Sequence, residues 1–96
     1  MSTEKFPEPI SLDSRRRRAR FRAAHRGMKE MDIVLGGFVD AHFETLSHAE
    51  LDELETLMEV LDRDLFKWFM GEAPVPAEHN TPIFKRICAF NDIAPR

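Results

Sequence analysis

The stretch that decides the fold is Met28-Lys29-Glu30-Met31-Asp32-Ile33-Val34-Leu35-Gly36-Gly37-Phe38-Val39-Asp40-Ala41-His42-Phe43-Glu44-Thr45-Leu46. Met28, Met31, Leu35, Phe38, Val39, His42 and Leu46 recur at spacings of three and four, which puts them on one buried stripe of a helix. Ile33, Val34 and Phe43 flank that stripe. Gly36-Gly37 interrupts it and predicts a bend, or a close helix crossing where side chains are absent. His42 lies on the apolar face and reads as a hydrogen-bonded core histidine in preference to a ligand.

Toward the C-terminus, Ser47-His48-Ala49-Glu50 has the form of a capping box, in which serine and glutamate satisfy each other's backbone amides. The helix that follows turns Leu51, Leu54, Leu57, Met58 and Leu61 inward and Asp52, Glu53, Glu55 and Glu59 outward. Asp62-Arg63-Asp64 then caps a short helix, Leu65-Phe66-Lys67-Trp68-Phe69-Met70, and Gly71 suits the left-handed position just past its end. Leu65, Trp68 and Phe69 are expected in the densest part of the core, with Phe66 the aromatic that reaches the surface. Pro74 and Pro76 make residues 72–80 an extended linker. Thr81-Pro82 opens a last helix as cap and first-turn proline, continuing through Ile83, Phe84, Ile87, Cys88 and Phe90.

Toward the N-terminus, Ser11 to Ser14 can start a helix that runs through Arg15-Arg16-Arg17-Arg18 to about His25. Its apolar residues are sparse, so its early part is expected to be solvated and docked only at its end. Residues 1–10, with Pro7 and Pro9, have no periodicity and read as a disordered tail. No strand pattern or repeat appears. The expectation is an all-α, compact five-helix single domain over residues 11–96.

Ninety-six residues with 43% hydrophobic and 32% charged composition suit one globular domain with one core. The single cysteine, Cys88, excludes an intramolecular disulfide, which suits a reducing compartment. The longest apolar-plus-glycine run, residues 33–39, is far short of the ~20 residues that cross a bilayer. No apolar segment follows the arginines to make a secretory signal, and Glu4, Glu8 and Asp13 argue against a transit peptide. These features point to a cytoplasmic protein without membrane insertion.

The net charge of −3 conceals a split. Residues 14–29 carry eight Lys or Arg and no acid, whereas residues 30–65 carry eleven Asp or Glu against Arg63 alone. The tetra-arginine run raises nucleic-acid binding as one reading. Against it, no aromatic platform interleaves with the arginines, and the acidic domain would repel a phosphate backbone. A solvated helix face, or an arm meeting an acidic partner, is the preferred account. The four histidines have no ligand spacing with one another or with Cys88, so no metal site is expected. Cys88 on an apolar face reads as a small hydrophobe. No catalytic constellation or phosphate loop can be identified.

The junction between the basic and acidic parts is His25-Arg26-Gly27-Met28-Lys29-Glu30-Met31-Asp32. Glycine in a helical pattern costs up to about 1 kcal/mol relative to alanine, so Gly27 needs a reason. Either the backbone turns there, with Glu30 capping the next helix, or something comes close.

Arg26-Gly27-x-x-Glu30 in this setting resembles the signature of the succinate dehydrogenase FAD-assembly factors, small helical proteins of bacteria and mitochondria. Leu46-Ser47-x-x-Glu50 resembles the family's capping sequence. Asp62-Arg63-Asp64-Leu65-Phe66-Lys67-Trp68 resembles its Asp-x-Asp-Leu-x-x-Trp segment, with Phe69 where leucine is common. The resemblance covers about residues 15–90 and departs at the arginine-rich start and at Pro82.

The resemblance implies an assembly chaperone rather than an enzyme. It would bind the flavoprotein subunit of succinate dehydrogenase, and in bacteria often that of fumarate reductase, and promote covalent attachment of FAD to a client histidine. FAD would be handled by the client, with none bound stably by this chain. The client-binding residues implied are Arg26, Gly27 and Glu30, with His25, Met28, Asp32 and Phe66 around them. Arg26 and Glu30 would offer charge-assisted hydrogen bonds, and Gly27 would admit the client backbone. The expected locations are the bacterial cytoplasm or the mitochondrial matrix, and the expected state is a monomer.

Overall fold

A computed structural model describes residues 11–94; the tail expected over residues 1–10 lies outside them. Five helices follow one another, with no strand among the described residues: α1 (Leu12–Ala24), α2 (residues 29–41), α3 (His48–Met58), α4 (Asp62–Phe69) and α5 (Pro82–Phe90). The linker before α5 holds one 3₁₀ turn, Ala77–His79.

Local chemistry accounts for most of the boundaries. The Ser11 hydroxyl accepts from the Ser14 amide at 3.1 Å and starts α1. The capping box opens α3, with Glu50 N–H donating to Ser47 Oγ at 3.1 Å and Ser47 N–H to Glu50 Oε1 at 2.9 Å. Thr81 caps α5 through the Phe84 amide at 3.2 Å, with Pro82 in the first turn. Gly71, at φ 75°, holds the left-handed position after α4.

The stripe on α2 forms the middle of the core: Met31, Leu35, Phe38, Val39 and Leu46 are fully buried, and Met28 is half-buried. His42 is half-buried, stacked on Phe38 at 4.4 Å, with Nδ1 3.0 Å from the Phe38 carbonyl oxygen. Leu51, Leu54, Leu57 and Met58 of α3, Leu65 and Phe69 of α4, and Ile83, Phe84, Ile87 and Cys88 of α5 complete the core. Phe69 stacks on Phe84 at 4.9 Å.

The expected disturbance at Gly36-Gly37 takes a specific form. Residues Lys29–Met31 and Gly37–Ala41 are α-helical, while Asp32–Gly36 between them wind as one wide π-type turn. At Gly36 the helix crosses α1 closely: a Cβ there would lie 3.3 Å from the Ala23 carbonyl oxygen and 3.4 Å from Ala24 Cα.

Four expectations are corrected. The first concerns α1, which docks along its length through small residues, Ala19 and Ala23 both being buried. Nor is its arginine run uniformly solvated. The Arg15 side chain is 13% exposed, with Nη2 at 2.8 Å from Asp52 and 3.1 Å from Glu55, and Arg16 Nε donates to the Leu46 carbonyl at 2.9 Å. Glu55 and Glu53 therefore do not simply face water; Glu53 accepts from the Ile83 amide at 3.1 Å. Leu61 does not face inward, because α3 stops at Met58 and leaves it exposed. Trp68 is half-buried, its ring tilted against His79 at 5.3 Å, so Leu65 and Phe69 alone fill the core from α4.

Candidate functional site

Residues 25–28 join α1 to α2 and pass over the corner between α3 and α4. His25 ends α1, its ring stacked on the exposed Phe21 at 4.0 Å. Arg26 turns inward and is only 10% exposed. Its Nε donates to Asp62 Oδ1 at 2.7 Å, Nη1 to the Met58 carbonyl at 2.7 Å, and Nη2 to the Val60 carbonyl at 3.0 Å. Those carbonyls lie at and beyond the C-terminal end of α3, where helix geometry leaves acceptors free, and a cation there also complements the helix dipole.

Asp62 supplies the other half of the clamp. Besides the guanidinium, its Oδ2 accepts from the Gly27 amide at 2.6 Å and the Met28 amide at 3.0 Å. The carboxylate sits in the first turn of α4, where negative charge is favoured. Asp32 adds a third tie, its Oδ1 accepting from the Arg26 amide at 2.5 Å. The loop is thus fixed by two carboxylates from separate helices and one guanidinium.

Gly27 is exposed, its φ is not in the left-handed region, and a Cβ built on it would meet Asp62 Oδ2 at an ordinary 3.4 Å. Nothing within the described chain requires glycine at this position. Glu30 lies one turn into α2, is exposed, and has no hydrogen-bonding or ionic partner among the described residues. It makes no cap: Met28, the residue before α2, is extended and its amide is held by Asp62.

Glu30 forms the edge of an open groove of about 340 Å³ floored by Met31 and walled by Ile33, Val34, Phe66 and Met70. On the other side of the loop, Gly27, Met28, Leu61, Asp62 and Arg63 line a second opening. The structure thus gathers His25, Gly27, Met28, Glu30 and Phe66 around one region of surface. It turns Arg26 and Asp32 into that region's supports.

The residue that sequence reasoning missed is Asp62. Placed just before an apolar helix, it reads as a helix-start acid, and nothing in a linear sequence joins it to an arginine 36 positions away. Elsewhere, Arg15 reaches Asp52, Glu55 and His48, the last through Nη1 at 2.9 Å from His48 Nδ1, and the Glu55 carboxylate foremost holds its guanidinium above its usual range. Burial pushes the Cys88 thiol up to about 11, in keeping with a packing role. Among the described residues no group of His, Cys, Asp and Glu could hold a metal ion, and no helix is long and apolar enough to cross a membrane.

Comparison with known proteins adds family relationships. The profile of the Sdh5 family, described as flavinator of succinate dehydrogenase, matches residues 17–91. The chain is 44% identical over 77 residues to the FAD assembly factor SdhE of Acetobacter pasteurianus, covering 80% of this chain and 71% of that protein. It is 33% identical over 86 residues to the mitochondrial succinate dehydrogenase assembly factor 2 of Candida glabrata, covering 85% of this chain and 56% of that protein. The factor of the same name from Dictyostelium discoideum is 29% identical over 80 residues, 83% of this chain and 57% of the relative. The chain therefore spans little more than half the length of these two mitochondrial relatives. The match runs from the arginine run of α1 through the clamped loop to the end of α5, and on that extent the chain belongs to the family of flavinators of succinate dehydrogenase.

Proposed function

We propose that this protein is an assembly chaperone for the flavoprotein subunit of succinate dehydrogenase, acting where FAD becomes covalently attached to that subunit. The observation that carries this reading is the contrast between Arg26 and its neighbours. Arg26 is consumed in holding the loop, while Gly27 and Glu30 are presented outward with no internal task. A glycine without an internal reason is accounted for by a partner backbone that passes over it. An exposed carboxylate beside it offers a charge-assisted hydrogen bond to that partner.

In this reading the chain is a chaperone rather than an enzyme. The client holds FAD, which supplies the flavin methyl carbon to which the client's own histidine is joined. The chain positions client surfaces: Gly27 and Glu30 contact the client, Arg26, Asp32 and Asp62 keep the loop in shape, and His25, Met28 and Phe66 extend the contact. Held geometry of this kind lowers barriers by several kcal/mol when two groups must meet. The fumarate reductase flavoprotein is proposed as a further client, and the chaperone is proposed to act as a monomer. It would work in the compartment where the client folds, the bacterial cytoplasm or the mitochondrial matrix. Duplex binding is not part of this proposal, since Arg15 and Arg16 are engaged internally and Arg17 and Arg18 pair with Asp13 and Glu55.

The test is complementation of cells lacking the native chain, reading the fraction of succinate dehydrogenase flavoprotein that carries covalent FAD. Glu30→Ala and Gly27→Arg are expected to stay folded and to lose most flavin attachment. Losing one charge-assisted bond and leaving its partner unpaired costs about 2–5 kcal/mol of binding. Full flavin attachment with a folded Glu30→Ala protein would reject this site.

A further inference from the structure

We propose that the groove between α2 and α4 is a second point of contact with the client, taking an apolar side chain of the flavoprotein that has a Lys or Arg beside it. The inference rests on the function proposed above and specifies the chemistry of what is bound. Ile33 is 61% exposed and Met70 48%, although both are large and apolar and lie within one groove. Met31 closes the floor completely, and Val34 and Phe66 are half-buried in the walls. An opening of about 340 Å³ accommodates one or two side chains rather than a helix.

Charge complementarity decides which side chains. Of the six residues lining the groove, only Glu30 is ionisable, and it has no partner among the described residues. An apolar group alone would leave that carboxylate beside a desolvating contact with no counter-charge, whereas a cation next to the anchor would pair with it. The groove is also continuous with the Gly27 loop, since Glu30 lies one turn from Met28 on the same helix. A client segment crossing Gly27 would therefore place its next residues over Ile33 and Phe66. A second copy of this chain is the competing occupant.

The experiment uses the full chain and the apo flavoprotein subunit of succinate dehydrogenase from the same organism, with affinity measured by titration. Ile33→Lys is expected to weaken binding by about tenfold or more, because it adds a like charge beside the client cation. Ile33→Glu adds an opposite charge and is expected to weaken binding several-fold less than Ile33→Lys. Met70→Lys and Met70→Glu repeat the comparison from the other wall, in case either Ile33 variant fails to fold. Equal losses for the two signs of charge at both positions would overturn the cation. Unchanged affinity for all four folded variants, while Gly27→Arg abolishes binding, would overturn the groove and leave the proposed function standing. If the unaltered chain does not bind the apo flavoprotein, both readings fall. A shift in self-association by sedimentation, with client affinity unchanged, would assign the groove to a homodimer instead.

Discussion

Asp62 and Gly27 are 35 residues apart, yet the Asp62 carboxylate accepts the Gly27 amide at 2.6 Å while its other oxygen holds Arg26. The conformation of the contact loop is therefore set by the start of α4 as much as by the loop's own residues. Both partners of the ion pair are largely buried, at 10% and 14% exposure. Removing one partner of such a pair leaves an uncompensated charge and costs about 3–5 kcal/mol. Asp62→Ala is expected near the lower end, since water can still reach the site. Arg26→Ala should cost a similar amount, and the double variant less than the sum of the two, because the residues act as a unit. Urea denaturation of the three variants checks this; additive losses would show that the clamp is not shared.

The four consecutive arginines are not equivalent. Arg15 is buried against Glu55 and Asp52, whereas the Arg17 side chain is 61% exposed and pairs only within its own helix, with Asp13. Arg15→Gln is expected to lower stability by about 1–2 kcal/mol, the Asp52 contact being discounted because that carboxylate is exposed. For a domain of this size that is a fall in Tm of several degrees, at about 4–8 °C per kcal/mol. Arg17→Gln should stay within about 0.5 kcal/mol. Thermal melts of the two variants side by side separate an anchor from a solvated face.

Acid should weaken the fold partly through the cap of α3. The Ser47 backbone amide is the main cause holding the Glu50 carboxyl below its ordinary 4.5; burial opposes it, and Arg86 reinforces it. A carboxyl with a lowered folded value stabilises the fold above its unfolded value. That contribution is lost as pH falls below 4.5 through the lowered value, where the unfolded chain binds the proton first. Glu50→Gln should therefore be less stable at neutral pH and show a shallower loss of stability between neutral pH and the acid range. Denaturation midpoints at a series of pH values would check it; parallel curves would rule out the cap as a source of acid sensitivity.

The helices that could be placed from sequence are those whose boundaries are local. The Ser47/Glu50 box, Thr81-Pro82 and Gly71 each act within three or four residues, and each stands where that chemistry puts it. What could not be read depends on partners distant in the chain. Arginines with few apolar neighbours look solvated, and only the arrival of α3 makes Arg15 an anchor. Trp68 looks like core by hydrophobicity, but α4 is short and turns Leu65 and Phe69 inward instead. At the site, the RGxxE spacing marks the region without assigning roles within it. Arg26 and Glu30 look alike as charged residues, and only the fold sends one inward to Asp62 and leaves the other outside.

The wide turn at Asp32–Gly36 makes residue count, and not only residue type, part of this protein's specification. A π-type turn takes up more chain than an α-helical one, and each residue of a helix is worth about 100° of rotation. Upstream of the turn, α2 aims Glu30 at the groove; downstream, it aims Phe38 and Val39 at the core. Deleting one residue between 33 and 36 would allow a regular helix, but the two halves would then fall out of phase by about 100°. Either the core residues would swing toward water or Glu30 would swing away from its groove. Point substitutions can sample this surface one property at a time, whereas a single-codon deletion in the turn would rephase the entire face.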